Sequence, residues 1–287
     1  MARNDEWSIA ESRTLSFTED PVTEVELRVM GGAFNVVGTD EPVARIEVDA
    51  VSGPPLLVRL DGERLVVGYH DLPWQGFLPW LAHRRGRRAA VVSLSLPRGC
   101  RLTVGSVSAD VTVGGLTGPV SVSTLSGETT LVGLSGRVSV DTVSGAVESL
   151  GLRGPLRAQS VSGSLAVVDG TGPSVHADTV SGELLVEHAS PTAPPDIRLS
   201  TMSGRIALRL PEQPGATVTG STLSGAVTCS LPGPRVVGPW GARSLSGRIG
   251  SGAGSVSLTS LSGGITLLRH PGVATEPSAP SSLRKDV

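Results

Sequence analysis

One arrangement in this 287-residue chain resembles a nucleophilic relay: Ser174, His176 and Asp178. A serine nucleophile needs a base to take its proton, and the base needs a carboxylate to orient it. In an extended segment, residues two apart stand side by side on one face. This spacing therefore lines the three up without converging them. Other catalytic signatures fail on spacing. Gly133-Leu134-Ser135-Gly136 lacks the length of a nucleophile elbow. Gly250-Ser251-Gly252-Ala253-Gly254 opens no helix that could cradle a phosphate. Asp110, Asp141, Asp169 and Asp178 are scattered, unlike the Gly/Asp nonapeptides of calcium-binding solenoids. Cys100 and Cys229 have no CxxC and no nearby histidine, which argues against a disulfide staple or a zinc site. The expectation is a protein that is not an enzyme and uses no cofactor or metal. A β-helix polysaccharide-active enzyme with paired carboxylates is the lesser alternative.

Two features point to binding. Residues 69–88, YHDLPWQGFLPWLAHRRGRR, hold four of the eight aromatic residues. Trp74, Phe77 and Trp80 are followed at once by Arg84, Arg85, Arg87 and Arg88. Such a patch suits an anionic membrane surface, with rings at headgroup level and arginines on phosphates, or a protein partner. The plainer reading is a hairpin loop whose rings cover the end of a core. The second feature is a series of paired hydroxyls in the motif [ST]-[LVM]-S-G. The pairs are Thr124 and Ser126, Thr142 and Ser144, Ser160 and Ser162, Thr179 and Ser181, Thr201 and Ser203, and Thr222 and Ser224. If both members face outward, stacking gives a hydroxyl ladder of the kind that binds ice or a glycan. The plainer reading is that small polar residues suit a tight surface and bond to local backbone.

The elements that carry these residues follow from a repeat. Glycines recur at 118, 127, 136, 145, 154, 163, 172 and 182, nine residues apart until the final step of ten. Each is flanked by alternating apolar residues, as in Leu116-Gly118-Val120-Val122, Leu125-Gly127-Thr129-Leu131 and Leu134-Gly136-Val138-Val140. Alternation places one set of side chains on one strand face. An odd period reverses that face unless the chain bends, so a bend every nine residues winds the chain into a coil. The stronger motif returns every second unit, giving about 18 residues per turn. The spacing predicts an all-β, single-stranded β-helix, or β-solenoid, whose stacked turns bury Val120, Leu131, Val138 and Val147. Hairpin signals such as Asn-Gly, which a sandwich would need, do not occur in the repeat.

Before the repeat, segments such as VTEVELRVM and AAVVSLSL also read as strands. The expected organisation is an irregular β region over 1–98 that caps or opens the solenoid, a solenoid over 99–269 and a disordered tail over 270–287. With 39% hydrophobic residues but only 3% aromatic, the core must be aliphatic. A net charge of −2 gives no reason to expect nucleic-acid binding. The polar N-terminal stretch leads us to expect no export signal, and no apolar run is long enough to span a bilayer as a helix. The expected location is cytoplasmic, with peripheral membrane attachment as an option.

The SLPRGCRLTV…SADVTV…LSGETTLVGLSGRVSVDTVSGAV stretch alternates S-G-x-[VIL]-x-[VL] with G-x-[ST]-G-x-V. It resembles the bacterial DUF4097 family of toastrack-type, adhesin-like strand-repeat proteins, over about residues 20–268. The resemblance implies a single-stranded β-helix without catalysis. Some members are linked to cell-envelope stress systems and others are called adhesins. Together these readings favour an interaction scaffold in envelope or stress physiology, with an adhesin-like or glycan-binding module as the alternative.

Overall fold

The computed structural model describes residues 4–19, 21–69, 88–190, 194–238 and 242–270. All regular structure among them is β. The first strands are β1 (Asn4–Ile9), β2 (Arg13–Phe17), β3 (Glu24–Val29), β4 (Gly31–Thr39), β5 (Ala44–Ser52), β6 (Leu56–Asp61), β7 (Arg64–Gly68) and β8 (Ala89–Pro97). The regular repeat supplies β9 (Arg101–Ser106), β10 (Asp110–Gly114), β11 (Val120–Thr124), β12 (Thr129–Val132), β13 (Val138–Thr142), β14 (Val147–Leu150), β15 (Leu156–Ser160), β16 (Leu165–Gly170), β17 (Ser174–Thr179), β18 (Leu184–His188), β19 (Asp196–Thr201) and β20 (Ile206–Leu210). The last group is β21 (Ala216–Thr222), β22 (Val227–Cys229), β23 (Arg235–Val237), β24 (Arg243–Arg248), β25 (Gly254–Ser260) and β26 (Ile265–Arg269).

The strands form two long sheets, A with 14 strands and B with 12. From β9 to β20 the chain alternates between them, odd strands in A and even strands in B, and each turn of the coil adds one parallel strand to each sheet. The register carries the repeat. Val120 pairs with Val138 and Val138 with Leu156, 18 residues on each time. Inward residues of both sheets, among them Val120, Leu131, Val138 and Val147, belong to one aliphatic core. Parallel pairing satisfies each backbone group with the turn before or after, so the turns depend on their neighbours for both hydrogen bonds and burial.

Glycine marks where turns approach closest. A Cβ on Gly154 would lie 1.8 Å from the carbonyl oxygen of Gly136, and one on Gly136 would lie 2.1 Å from that of Gly118. No larger residue fits this column without separating the turns.

The ends depart from simple winding. In sheet A the spatial order runs β19, β25, β21, β24, so the final repeat turn, β25–β26, is intercalated between β19–β20 and β21–β22. The sequence suggested successive turns up to the end. The hairpin β23–β24 explains the difference, because β24 runs antiparallel along β21 and occupies its outer edge. The last turn adds inside instead. The Ser244–Gly247 copy of the motif lies on β24, within that hairpin, and opens no turn of the stack. The other end is built likewise. Turn β3–β4 lies between β7–β8 and β9–β10, and β5, β6, β1 and β2 add antiparallel beyond it. Antiparallel strands thus close both sheets at this end and sheet A at the other, where open parallel edges would invite pairing with other chains, while sheet B there ends on the short parallel strand β22.

Candidate interaction surface

The A-to-B corner of each turn is made by the motif [ST]-[LVM]-S-G. Along β11, Val120, Val122 and Thr124 share one parity and all three are buried, Thr124 to 1% exposure. The first hydroxyl of the motif therefore points inward. Thr142, Thr179, Thr201 and Thr222 are buried in the same way, and Ser160 is half-buried. Each serves the bend: Thr142, Thr179 and Thr201 accept the N–H of Gly145, Gly182 and Gly204 at 3.0, 3.0 and 2.9 Å. The second hydroxyl lies outside, yet it too is spent on backbone. Ser126, Ser144 and Ser162 donate to the carbonyls of Val107, Leu125 and Val143 one turn back, at 3.0, 3.0 and 3.1 Å. Ser181 and Ser203 repeat the pattern against Val161 and Val180. Ser224 bonds through its backbone N–H to the Leu261 carbonyl. The expected outward double row of hydroxyls does not form. Parity turns one row in, and the corner consumes the other.

What faces outward is the residue between the hydroxyls. Leu125 and Val143 are partly exposed, and Val161, Val180, Met202, Leu261 and Leu223 are exposed, in that order along the stack. Exposure is 48% at Val161, 53% at Met202 and 60% at Leu223. These aliphatic side chains form a straight ridge with one rung per strand spacing of about 4.8 Å. The alternation in the sequence groups Leu125 with the inward residues of its unit, but the structure turns it outward. The matching residues of the B-to-A corner, Leu116, Leu134 and Leu152, are indeed buried. An odd half-repeat gives the two corners opposite senses, so one apolar position goes in and the other out. The signal was present in the sequence: an aliphatic between two hydroxyls, one turn apart, in copy after copy.

Charge beside the ridge is uneven. On its sheet A side, Ser123, Asp141, Gln159, Asp178, Ser200, Thr259 and Ser221 stand in register. On its sheet B side, Glu128 and Glu183 follow the corner glycines, and Glu183 lies 3.7 Å from Arg205. The acids thus flank the middle rungs, while the last three rungs carry none at these positions. The ridge runs out beside an open cleft of about 520 Å³ lined by Ser221, Leu223, Arg243 and Leu261.

The other candidates resolve differently. Ser174, His176 and Asp178 share the outer face of β17, and His176 Nε2 meets Asp196 on the next strand at 2.9 Å. Cys100 is buried and donates its S–H to the Val22 carbonyl at 2.8 Å; burial pushes its thiol up to about 11, which keeps it protonated and unreactive. Cys229 is a free thiol on the short strand β22. Among the described residues no three His, Cys, Asp or Glu side chains cluster as metal ligands. Trp74, Phe77, Trp80, Arg84, Arg85 and Arg87 lie outside the described residues. Arg88 is described, with its guanidinium carbon 5.7 Å from the Tyr69 ring centroid. Nearby, the Glu26 carboxylate is 1% exposed and is held by Arg28, at 2.6 Å, and by Arg64. His188 is buried beside the bulge at Gly170, and neither ring nitrogen has a partner; burial pushes its pKa down.

A coiled stack of parallel strands in two sheets, with serine-glycine corners and an aliphatic interior, defines a class of strand-repeat protein. The family model for toastrack DUF4097 matches residues 38–268, and the chain belongs to that family. Solved structures similar to it include a candidate adhesin from Parabacteroides distasonis, with 10% identity and a TM-score of 0.42, covering 94% of this chain and 97% of that one. A candidate cell adhesion protein from Clostridium sporogenes also shows 10% identity, with a TM-score of 0.27, covering 94% of this chain and all of the other. No curated protein matches the chain. Among the described residues there is no helix long and apolar enough to cross a membrane.

Proposed function

We propose that this protein is a non-enzymatic β-stack scaffold that presents the aliphatic ridge of its A-to-B corner to a protein partner. The observation that carries the reading is the ridge itself: Val161, Val180, Met202, Leu261 and Leu223 are exposed together in one line. Monomeric proteins seldom leave so many large aliphatic side chains in water in a contiguous strip unless something covers them. A catalytic role would need converging acids or nucleophiles, and the outward polar residues of sheet A instead lie in flat, in-register rows. The acids beside the middle rungs disfavour contact with an anionic lipid surface along this line. The setting suggested by the family resemblance is bacterial envelope or stress physiology.

The test is a paired capture from the native cell. The wild-type chain and the Met202→Asp, Leu261→Asp variant are compared after in-cell cross-linking, with circular dichroism to show that both are folded. The reading expects a defined protein retained by the first and lost by the second. Identical retention by both chains overturns it.

A further inference from the structure

The middle and the far end of the ridge differ in chemistry, and the difference describes an occupant. Asp141, Asp178, Glu128 and Glu183 flank the rungs from Leu125 to Val180. Met202, Leu261 and Leu223 have only uncharged neighbours in the sheet A row and end at the cleft. The complementary ligand is a segment with large apolar residues at one end and cations at the other. This chain contains one in residues 70–87: Trp74, Phe77, Leu78 and Trp80 come first, then Arg84, Arg85 and Arg87. Tyr69 and Arg88, which bracket the segment, belong to the A-to-B corner of turn β7–β8, on the same line as the ridge.

Distance decides which copy delivers it. Met202 lies seven strand spacings from that corner and Leu223 nine, about 34 and 43 Å. Trp80 is eight residues from Arg88, so its tether extends at most about 27 Å. The chain's own segment falls short of the three outermost rungs. We propose that residues 70–87 of a second copy dock on this ridge, Trp74–Trp80 on Met202, Leu261 and Leu223, and Arg84, Arg85 and Arg87 against Asp178 and Glu183. This rests on the ridge being an interaction surface. Two antiparallel copies satisfy each other, because each carries the donor segment near one end and the exposed rungs at the other. The contact is then closed and two-fold rather than an open filament.

Sedimentation velocity of the full chain between about 1 and 100 µM tests it, a range that brackets weak to moderate protein association. A reversible monomer–dimer equilibrium is expected. Arg84→Glu, Arg85→Glu, Arg87→Glu together, or Met202→Asp with Leu261→Asp, should each weaken dimerisation at least about tenfold. Adding Asp178→Arg and Glu183→Arg to the arginine variant should restore much of it, which mere unfolding would not allow. A synthetic peptide of residues 70–88 should bind a chain lacking 72–87 and fail to bind that chain carrying the ridge substitutions. A monomer throughout the range overturns the proposal, as does a dimer indifferent to the ridge substitutions. So does a peptide that binds only anionic vesicles. In those cases a cellular partner lost on the same ridge substitutions would still uphold the broader scaffold reading.

Discussion

Replacing Gly154 by alanine adds one methyl group at the point where turns approach closest. The new Cβ would stand 1.8 Å from the Gly136 carbonyl oxygen and 2.7 Å from that of Ser135, both backbone atoms. Ordinary contact begins near 3.4 Å, so the turns must part by about 1.6 Å, and a strand has no flexible side chain here to yield instead. Two ladder bonds flank the site, Arg153 N–H to the Leu134 carbonyl at 2.8 Å and Val138 N–H to the Pro155 carbonyl at 2.9 Å. Stretching both beyond bonding range, in a buried setting, costs about 3–5 kcal/mol. Two neighbours serve as internal standards. Gly151 has a φ of 64° but open space around its Cβ, so alanine there costs only the left-handed strain of about 1–2 kcal/mol. Gly99 has neither constraint, and alanine should be neutral or stabilise by up to about 1 kcal/mol. Urea unfolding followed by far-ultraviolet circular dichroism should rank the three Gly99, Gly151, Gly154 in order of loss. Amide exchange should show the Gly154 damage centred on β13 to β17. If Gly154→Ala unfolds no more easily than Gly151→Ala, close stacking of the glycine column is not what holds these turns together.

Acid should loosen the chain through His188. Its folded-state pKa is depressed by burial, so the unfolded chain binds the extra proton first, and stability falls as pH drops through the unfolded value near 6.5. His188→Leu should remove part of that acid sensitivity, read as the change in urea midpoint between pH 7 and pH 5. Removing both Arg28 and Arg64 leaves the Glu26 carboxylate buried without a counter-charge and should cost about 3 kcal/mol in the same assay, whereas Glu26→Gln with both arginines kept should cost less. Thr142→Ala removes the hydroxyl that accepts the Gly145 N–H and should cost about 1 kcal/mol. The intercalated order is checked by cross-linking in a Cys229→Ser background. Cysteines at 200 and 259, directly opposite in register, should join under mild oxidation, and cysteines at 200 and 221, two strands apart, should not.

The repeat was legible because its physics is local. Alternation in VSVST and VSVDT gives strands, the nine-residue return of glycine gives corners, and aliphatic residues at the inward parity give the core. The same parity carried Thr124 and Thr142 inward, which the pairing of hydroxyls two apart obscured. The ridge was hidden because Leu116 and Leu125 occupy equivalent places in a nine-residue unit yet lie at corners of opposite sense. The order of the last turns was not legible either. Thr201, Thr222 and Ser260 carry the same motif, and nothing in it says which two are neighbours. That choice is made by β24, whose antiparallel pairing with β21 is a long-range event outside the repeat.

The intercalated turn also bears on how the chain is made. From β9 to β20 each strand pairs with one that left the ribosome about 18 to 22 residues earlier, so these turns can accrete as they emerge. Thr201, by contrast, pairs with Ser260, 59 residues later. Until β25 and β26 are synthesised, β19 and β20 have no lasting neighbour on that side, and β21–β22 must wait or pair wrongly in the interval. Completion of this protein is thus tied to its final strands, and a stalled ribosome would leave a partly wound stack with two sticky parallel edges.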